Sequence, residues 1–500
     1  MKSRLKRTAT QSSGRKPWPM LLAAAISSAV VGFAQPAYAV KINSATFGGV
    51  TARALGPAVM SGRIAAIDAV ADDSNTIYIG SASGGIWQSK DGGFTFRPIF
   101  DDHTQSIGAI RVDQSNPDRV WVGTGESWVR NTVSVGDGVY RSDNGGETWK
   151  HLGLEDTEHI AAIRLHPYDS DTAWVCATGH LWDDNEQRGV FKTTDAGESW
   201  EKVLYIDQET GCADIDVDHG NPNILYAAMW HFRRYPDFFQ SGGETSGLYR
   251  SVDGGNTWQE MTEGLPEGDL GRMAVATAPS RPGTVYANVE SDKTALFRSD
   301  DMGVTWTEQN SSTLVQLRPF YFSELVVDPT DHERIYKPSL SLGVSTDGGE
   351  TFSSLFSGGF GGGIHPDHHA LWINPKNPKH MLLGTDGGVY ESRDQTGHWR
   401  HIGTLPVSQF YHVSVDQQWP YNVYGGLQDN GSWRGPSRAP GGIRNKDWDS
   451  VGFGDGFWTF ADPTDNSIVF SEFQGGQLRR VDTNLGEVKE IAPAKSGNEE

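Results

Sequence analysis

Apolar and polar residues alternate at period two in short runs along most of the chain, and the runs recur in groups of four. Three groups show the pattern: "IGAIRVDQSNPDRVWVGTG" then "DGVYRSDNGGETWKHL", "CADIDVDHGNPNILYAAMW" then "SGLYRSVDGGNTWQEM", and "YFSELVVDPTDHERIYKPS" then "LGVSTDGGETFSSLF". Each holds an alternating strand, an "NP"-type turn, a β-rich second strand, a variable connection, a third strand, an Asp-containing turn and a short fourth strand led by Trp or Phe. The pattern predicts a four-stranded antiparallel meander as the repeating unit.

The turn between strands three and four is nearly invariant. It reads "SKDGGFTF" from Ser89, "SDNGGETW" from Ser142, "TTDAGESW" from Thr193, "SVDGGNTW" from Ser251, "SDDMGVTW" from Ser299, "STDGGETF" from Ser345 and a worn "SRDQTGHW" from Ser392. Its central Asp or Asn falls at positions 91, 144, 195, 253, 301, 347 and 394, in steps of 46 to 58 residues. Such a period matches one blade of a β-propeller, where radial repetition hides sheet edges. Two further units, "YHVSVDQQWPYNVYGGLQDNG" and "FWTFADPTDNSIVFSEFQGGQLRRVD", keep the other strands without the turn. The expected fold is therefore all-β, a large β-propeller of about seven to ten blades, with about nine units visible. These form one ring, closed by an N-terminal strand around Thr46 to Leu55, or one ring and the start of a second.

Asp and Asn bond their own backbone downstream and Gly accepts positive φ, so turn chemistry accounts for every box position without a metal. The trailing aromatic is expected to pack between blades.

Composition narrows the class. Sixty glycines, 17 tryptophans and 21% charged residues describe a folded chain. A basic segment (Lys2, Arg4, Lys6, Arg7, Arg15, Lys16) precedes "LLAAAISSAVVGFA" and the small-x-small "AYA" at Ala37 to Ala39. Residues 1–39 thus read as a signal peptide and 40–500 as the propeller, exported to the periplasm or the extracellular space with no membrane insertion after cleavage. Losing those six cations moves the formal charge from −21 to −27. Acidity on this scale argues against nucleic acid as a partner. Cys176 and Cys212 sit in consecutive repeats, either paired or as two buried thiols. No cofactor or metal is implied.

The S-x-D-x-G-x-T-W boxes resemble the BNR or Asp-box repeats of sialidases, xyloglucanase-type glycosidases, photosystem II stability/assembly factors and sortilin-type receptors, over roughly residues 50 to 480. The resemblance implies the propeller fold and places the boxes far from the active face, leaving activity to be argued from other residues.

In an up-and-down meander the boxes follow strand three, so a functional face is built from loops after strand two and loops entering strand one. After strand two come Glu126, Trp128 and Arg130, then His180, Trp182 and Asp183. The insertion "WHFRRYPDFFQSGGE" brings Trp230, His231, Arg233 and Arg234, and later blades bring Asp386 of "GTDGG" and Gln428, Asp429, Asn430 and Trp433 of "LQDNGSWRG". Entering strand one come Arg63, the dense "HPDHHALW" with Asp367, His368 and His369, then Tyr411, His412, Asp455 and Trp458. Asp367, His368 and His369 suit a divalent ion, an acid/base or polar ligand contact, or a structural network near the axis; neighbours on a strand face opposite ways, which opposes a shared ion. Guanidinium groups beside aromatic walls, as at Arg233 and Arg234, suit carboxylates, sugars or peptide ends.

Two function classes follow. A binding propeller would hold a peptide, protein or carbohydrate ligand on this face through Glu126, Trp128, Trp182, Trp230, His231, Arg233, Arg234, His368, His369, Asn430, Trp433 and Asp455. A glycoside hydrolase needs a carboxyl pair, for which Asp386, Asp367 and Asp429 are the candidates. Xyloglucanase-type enzymes carry one catalytic Asp in a "TD-x-GG" segment of the first blade, where this chain has "SASGG" with Ala82. The F/Y-R-I-P segment of sialidases and a G-x-S-x-G elbow are absent. The sequence favours binding over cleavage.

Overall fold

The computed structural model describes Arg53, Leu55 and residues 62–130, 133–355 and 363–493. The expected signal peptide and nearly all of the proposed closing strand at 46–55 lie outside them. Among the described residues, nine antiparallel sheets follow one another along the chain, each with its strands in sequence order. They span residues 64–98, 107–151, 160–204, 210–261, 273–310, 326–355, 368–401, 410–452 and 459–490, and are called sheets 1 to 9. Sheet 4 carries a fifth strand, Phe239–Ser241, which extends a hairpin from Leu225–Arg234. No described helix is long and apolar enough to cross a membrane.

In sheets 1 to 7 the last strand is the most exposed. "IAAIDA" at Ile64–Ala69 is buried at all six positions, whereas the fourth-strand pair Lys150–His151 is exposed. A strand buried on both faces lies between neighbouring sheets, and one with exposed ends lies at the rim, as radial packing requires. Seven apolar clusters join sheet 1 to 2, 2 to 3, 3 to 4, 4 to 5, 5 to 6, 6 to 7, and 7 back to 1. Sheets 1 to 7 therefore close on themselves. Sheets 8 and 9 share a small core of their own, Tyr424, Val451, Val469 and Val481.

One contact repeats at these seams. A side chain on Gly80 would strike Ile107, one on Gly123 would strike Ile160, and one on Gly384 would strike Ile64. The glycine in strand two thus admits the isoleucine that opens the next sheet, and the third instance spans the seam from sheet 7 to sheet 1. Polar side chains also lace the inner strands. Val112 N donates to Asp68 (2.9 Å), Val275 N to Asp214 (3.0 Å) and Leu371 N to Glu324 (3.3 Å), each from the following sheet. The first strands of all seven sheets enclose a central cavity of about 560 Å³.

The boxes behave as turn chemistry requires. At Asp253, Oδ1 accepts from Ser251 Oγ (2.8 Å), Asn256 N (3.0 Å) and Thr257 N (2.8 Å), while Oδ2 accepts from Thr257 Oγ1 (2.6 Å). These bonds, that from the Thr257 side chain above all, bring its pKa down to about 2. The trailing Trp149 and Trp200 donate to Ile99 O and Leu152 O of the preceding sheets. The question left open for Cys176 and Cys212 is resolved: they form a disulfide that joins sheets 3 and 4.

Candidate functional site

The loops opposite the boxes bring residues from sheets 1, 7 and 8 onto one carboxylate, with Glu126 of sheet 2 joined to it through Arg63. Asp386 sits in the tight turn between Met381–Thr385 and Gly388–Ser392, and its N–H donates to Asp367 O (3.0 Å), which ties it to the loop entering sheet 7. Arg63, placed just before the first strand of sheet 1, forks onto it through Nε to Oδ1 (2.7 Å) and Nη2 to Oδ2 (2.9 Å). The third guanidinium nitrogen, Nη1, donates to Glu126 of sheet 2 at 3.0 Å. His369 Nε2 meets Asp386 Oδ1 at 2.9 Å, and Asn430 Nδ2 donates to its main-chain oxygen at 2.9 Å. Arg63 is 1% exposed and Asp386 3%, so an ion pair with bidentate geometry replaces the water both groups have lost.

Around this pair stand two further aspartates. Oxygens of Asp367, Asp386 and Asp429 all lie within 4.8 Å of one another. Gln428 Nε2 bridges Asp429 Oδ2 (2.8 Å) and Asp386 Oδ2 (3.3 Å), and Asp429 N donates to Asp455 (2.8 Å). Both outer aspartates have left-handed backbones, φ 63° at Asp367 and 58° at Asp429. Such conformations cost of order 1–3 kcal/mol, and surrounding structure must hold them. Here it does so in two different loops, and both aim a carboxyl at Asp386.

The three carboxyls are electrically distinct. Burial opposes ionisation of Asp386, but Arg63 and His369 hold it well below the ordinary range. Asp429 is pushed up to about 8 by burial, then by its hydrogen bond to Asp386 and the repulsion of that charge. Asp367 is pushed up to about 6 by burial and by Asp386. Burial lowers His369, and takes His368 to about 3, so both imidazoles are neutral. Near neutral pH the cluster thus holds one fixed carboxylate, one protonated acid and one group close to its midpoint, the separation of values that assigns acid and base roles. The cation among these carboxylates is Arg63, so a metal ion here would have to compete with an existing guanidinium.

The other sequence candidates are distributed more widely. His368 turns Nε2 to His365 O (3.0 Å), away from Asp386, so it and His369 diverge as neighbours on a strand do. Trp128 reaches across the ring to Arg272, whose guanidinium lies 4.8 Å from its ring and 4.9 Å from that of Trp230. Trp230 is fully buried and stacks on Phe232, which makes it core. Trp182, His231, Arg233 and Arg234 stand on a separate wall over sheets 3 and 4: Arg233 pairs with Asp184, and His231 bonds Thr245 Oγ1 (3.0 Å). Trp433 props the Asp429 loop by donating to Asn430 O (2.6 Å). Two residues escaped the sequence reading. Tyr321 and Arg318 lie in "LRPFYF", a connection entering sheet 6 whose aromatic and basic content on the expected face was the available signal.

Comparison with known proteins gives four similarities. The family model for sortilin (neurotensin receptor 3) matches residues 84–214 and 137–265. A xyloglucanase of Hypocrea jecorina is 26% identical over 283 residues, 52% of this chain and 31% of that protein, and one of a Paenibacillus species is 26% identical over 352 residues, 67% and 28%. The chain thus spans about a third of the curated relatives it matches. The crystal structure of a GH74 xyloglucanase from Xanthomonas campestris superposes with a TM-score of 0.56 at 16% identity, covering 89% of this chain and 75% of that one.

Proposed function

Because the chain is a β-propeller of the BNR/Asp-box repeat type whose box aspartates are committed to turns, we propose that it binds a glycan on the opposite face and hydrolyses a glycosidic bond there. Asp429 is the general acid, Asp367 its partner carboxylate, and Asp386 with Arg63 and His369 the fixed charge that keeps Asp429 protonated. The observation that carries this reading is the convergence of two left-handed aspartates on one ion-paired carboxylate. It reverses the order that the sequence alone favours. Oxygens of Asp367 and Asp429 lie within 4.8 Å of each other and of Asp386, so two carboxyl groups border one small space, as glycoside hydrolysis requires. The similarity to xyloglucanases supports a polysaccharide substrate.

Tyr411, on the first strand of sheet 8 and 37% exposed, lies close enough to Asp455 and Asp429 to feel their charges. Aromatic faces of this kind offer broad apolar contact with a polar edge, which suits a sugar ring. Export, expected from residues 1–39, accords with the disulfide, which belongs to an oxidising compartment.

The test is release of reducing ends from a panel of polysaccharides. Activity that vanishes in Asp429→Asn and in Asp367→Asn, with unchanged thermal melting, supports the assignment; full turnover in both refutes it. Binding without cleavage is the second reading, favoured by one observation: both oxygens of Asp386 are already occupied by Arg63. Under it the parent captures a glycan or peptide and converts neither.

A further inference from the structure

Every nitrogen of Arg63 serves a buried carboxylate, whereas among the described residues two arginines beside it form no ion pair, although the charge of Arg318 acts through space on Asp367. Arg130, from the loop after strand two of sheet 2, makes a single hydrogen bond among the described residues, from Nη1 to Tyr321 Oη at 3.4 Å. Arg318, exposed in the connection entering sheet 6, ion-pairs with no described carboxylate. Both converge on the same ring: their guanidinium carbons lie 5.8 Å and 5.2 Å from the Tyr321 centroid, with that of Arg63 at 5.6 Å. The chain carries 63 acidic residues against 42 basic ones, and in such a surplus two arginines that close no ion pair with a described carboxylate need a reason.

The Tyr321 hydroxyl is the hub. It sits 3.5 Å from His369 Nε2, which itself touches Asp386. The arginine pair therefore adjoins the aspartate cluster through one histidine. Arg318 also has a left-handed backbone, φ 43°, and its carbonyl accepts both Tyr321 N and Phe322 N at 2.8 Å. Local hydrogen bonds thus fix the position from which this guanidinium reaches over the ring.

The planar guanidinium fork matches a carboxylate or a phosphate. Neighbouring Asp386 carries a full negative charge, and Coulomb repulsion at short range is milder for a monoanion than for a phosphate dianion. We propose that Arg130 and Arg318 form a carboxylate-binding subsite beside Asp367, Asp386 and Asp429, and that the glycan bound there is acidic, carrying uronate groups. This rests on the glycan reading above and names its substrate class. The chain's overall negative charge repels a polyanion at long range, so selective capture has to come from these local cations.

The test is isothermal titration of the full chain at pH 7 with a galacturonate oligomer and with its methyl ester, which keeps the sugar ring and removes the charge. The acid should bind at least about tenfold more tightly than the ester, the discrimination expected of one or two charge-assisted hydrogen bonds. Arg318→Gln and Arg130→Gln should each bring that ratio towards one. Arg318→Lys should retain only part of it, because a point charge does not reproduce the fork. Arg318 is exposed, so its variants should melt with the parent. Equal affinity for acid and ester, or a ratio untouched by both Gln variants, overturns the subsite. If a neutral polysaccharide alone is bound and cleaved, the subsite falls and the glycan reading stands. If only a glutamate-rich peptide is bound, both fall.

Discussion

Arg63→Met removes the cation between Asp386 and Glu126 while keeping most of the side chain's volume. Three charge-assisted hydrogen bonds, at 2.7, 2.9 and 3.0 Å, disappear together. Removing one partner of a buried ion pair costs about 3–5 kcal/mol. Two carboxylates are stranded here, so the loss at pH 7 should lie at the upper end, about 5 kcal/mol. The pH dependence gives a sharper test. In the parent, Asp386 is depressed, so its contribution is complete above the unfolded value near 3.9 and is lost as pH falls through the folded one. Without Arg63, burial and mutual repulsion raise both carboxyls above their unfolded values. The variant is then weakest at neutral pH and recovers as they protonate. The gap between parent and variant, read from denaturant melts followed by tryptophan fluorescence, should shrink between pH 7 and about pH 4. Adding Asp386→Asn to Arg63→Met should restore part of the loss. A variant within about 1 kcal/mol of the parent at pH 7, or a gap that does not change with pH, would refute the account of the cluster.

Hydrolysis should follow a bell-shaped pH profile, rising as Asp367 ionises through about 6 and falling as Asp429 loses its proton through about 8; kcat/KM that still climbs at pH 9 excludes Asp429 as the acid. Asp253→Ala breaks one box turn on the opposite face, so it should leave ligand affinity unchanged in titration even where melting shifts. Replacing Cys176 and Cys212 by Ser opens a link 36 residues apart in sequence and should lower stability by roughly 3–4 kcal/mol on the loop-entropy account, as checked against the reduced parent. Gly384→Val should be poorly tolerated because Ile64 fills the space above it, lowering the melting point by more than the same change at Gly403, where a side chain would meet only ordinary contacts.

The blades were legible because each is a local object: period-two strands and an Asp-box lie within about fifty residues, and turn chemistry is written in the turn. The face was legible for the same reason, since strand order fixes which loops share an end. The number of sheets in the ring was not. Ile64, Ile107 and Ile160 look alike in sequence, and only three-dimensional packing shows that Ile64 meets Gly384 of sheet 7. Asp367, Asp386 and Asp429 could each be picked as loop carboxylates, but their unequal charge states come from burial, from one another and, for Asp386, from Arg63, more than three hundred residues distant in sequence. Trp230 looked like a ligand platform because it opens an aromatic insertion, yet its ring turns inward onto Phe232.

Among the described residues, no strand is shared between sheets 7 and 1; the ring is fastened only by side chains and loops, among them Arg63 on Asp386, Asn374 on Ala71 O and Thr404 on Gly93 O. The clasp of the circle and the centre of the candidate site are thus the same pair of residues. A ligand held on that face would touch both ends of the belt at once, so binding there would fasten the circle.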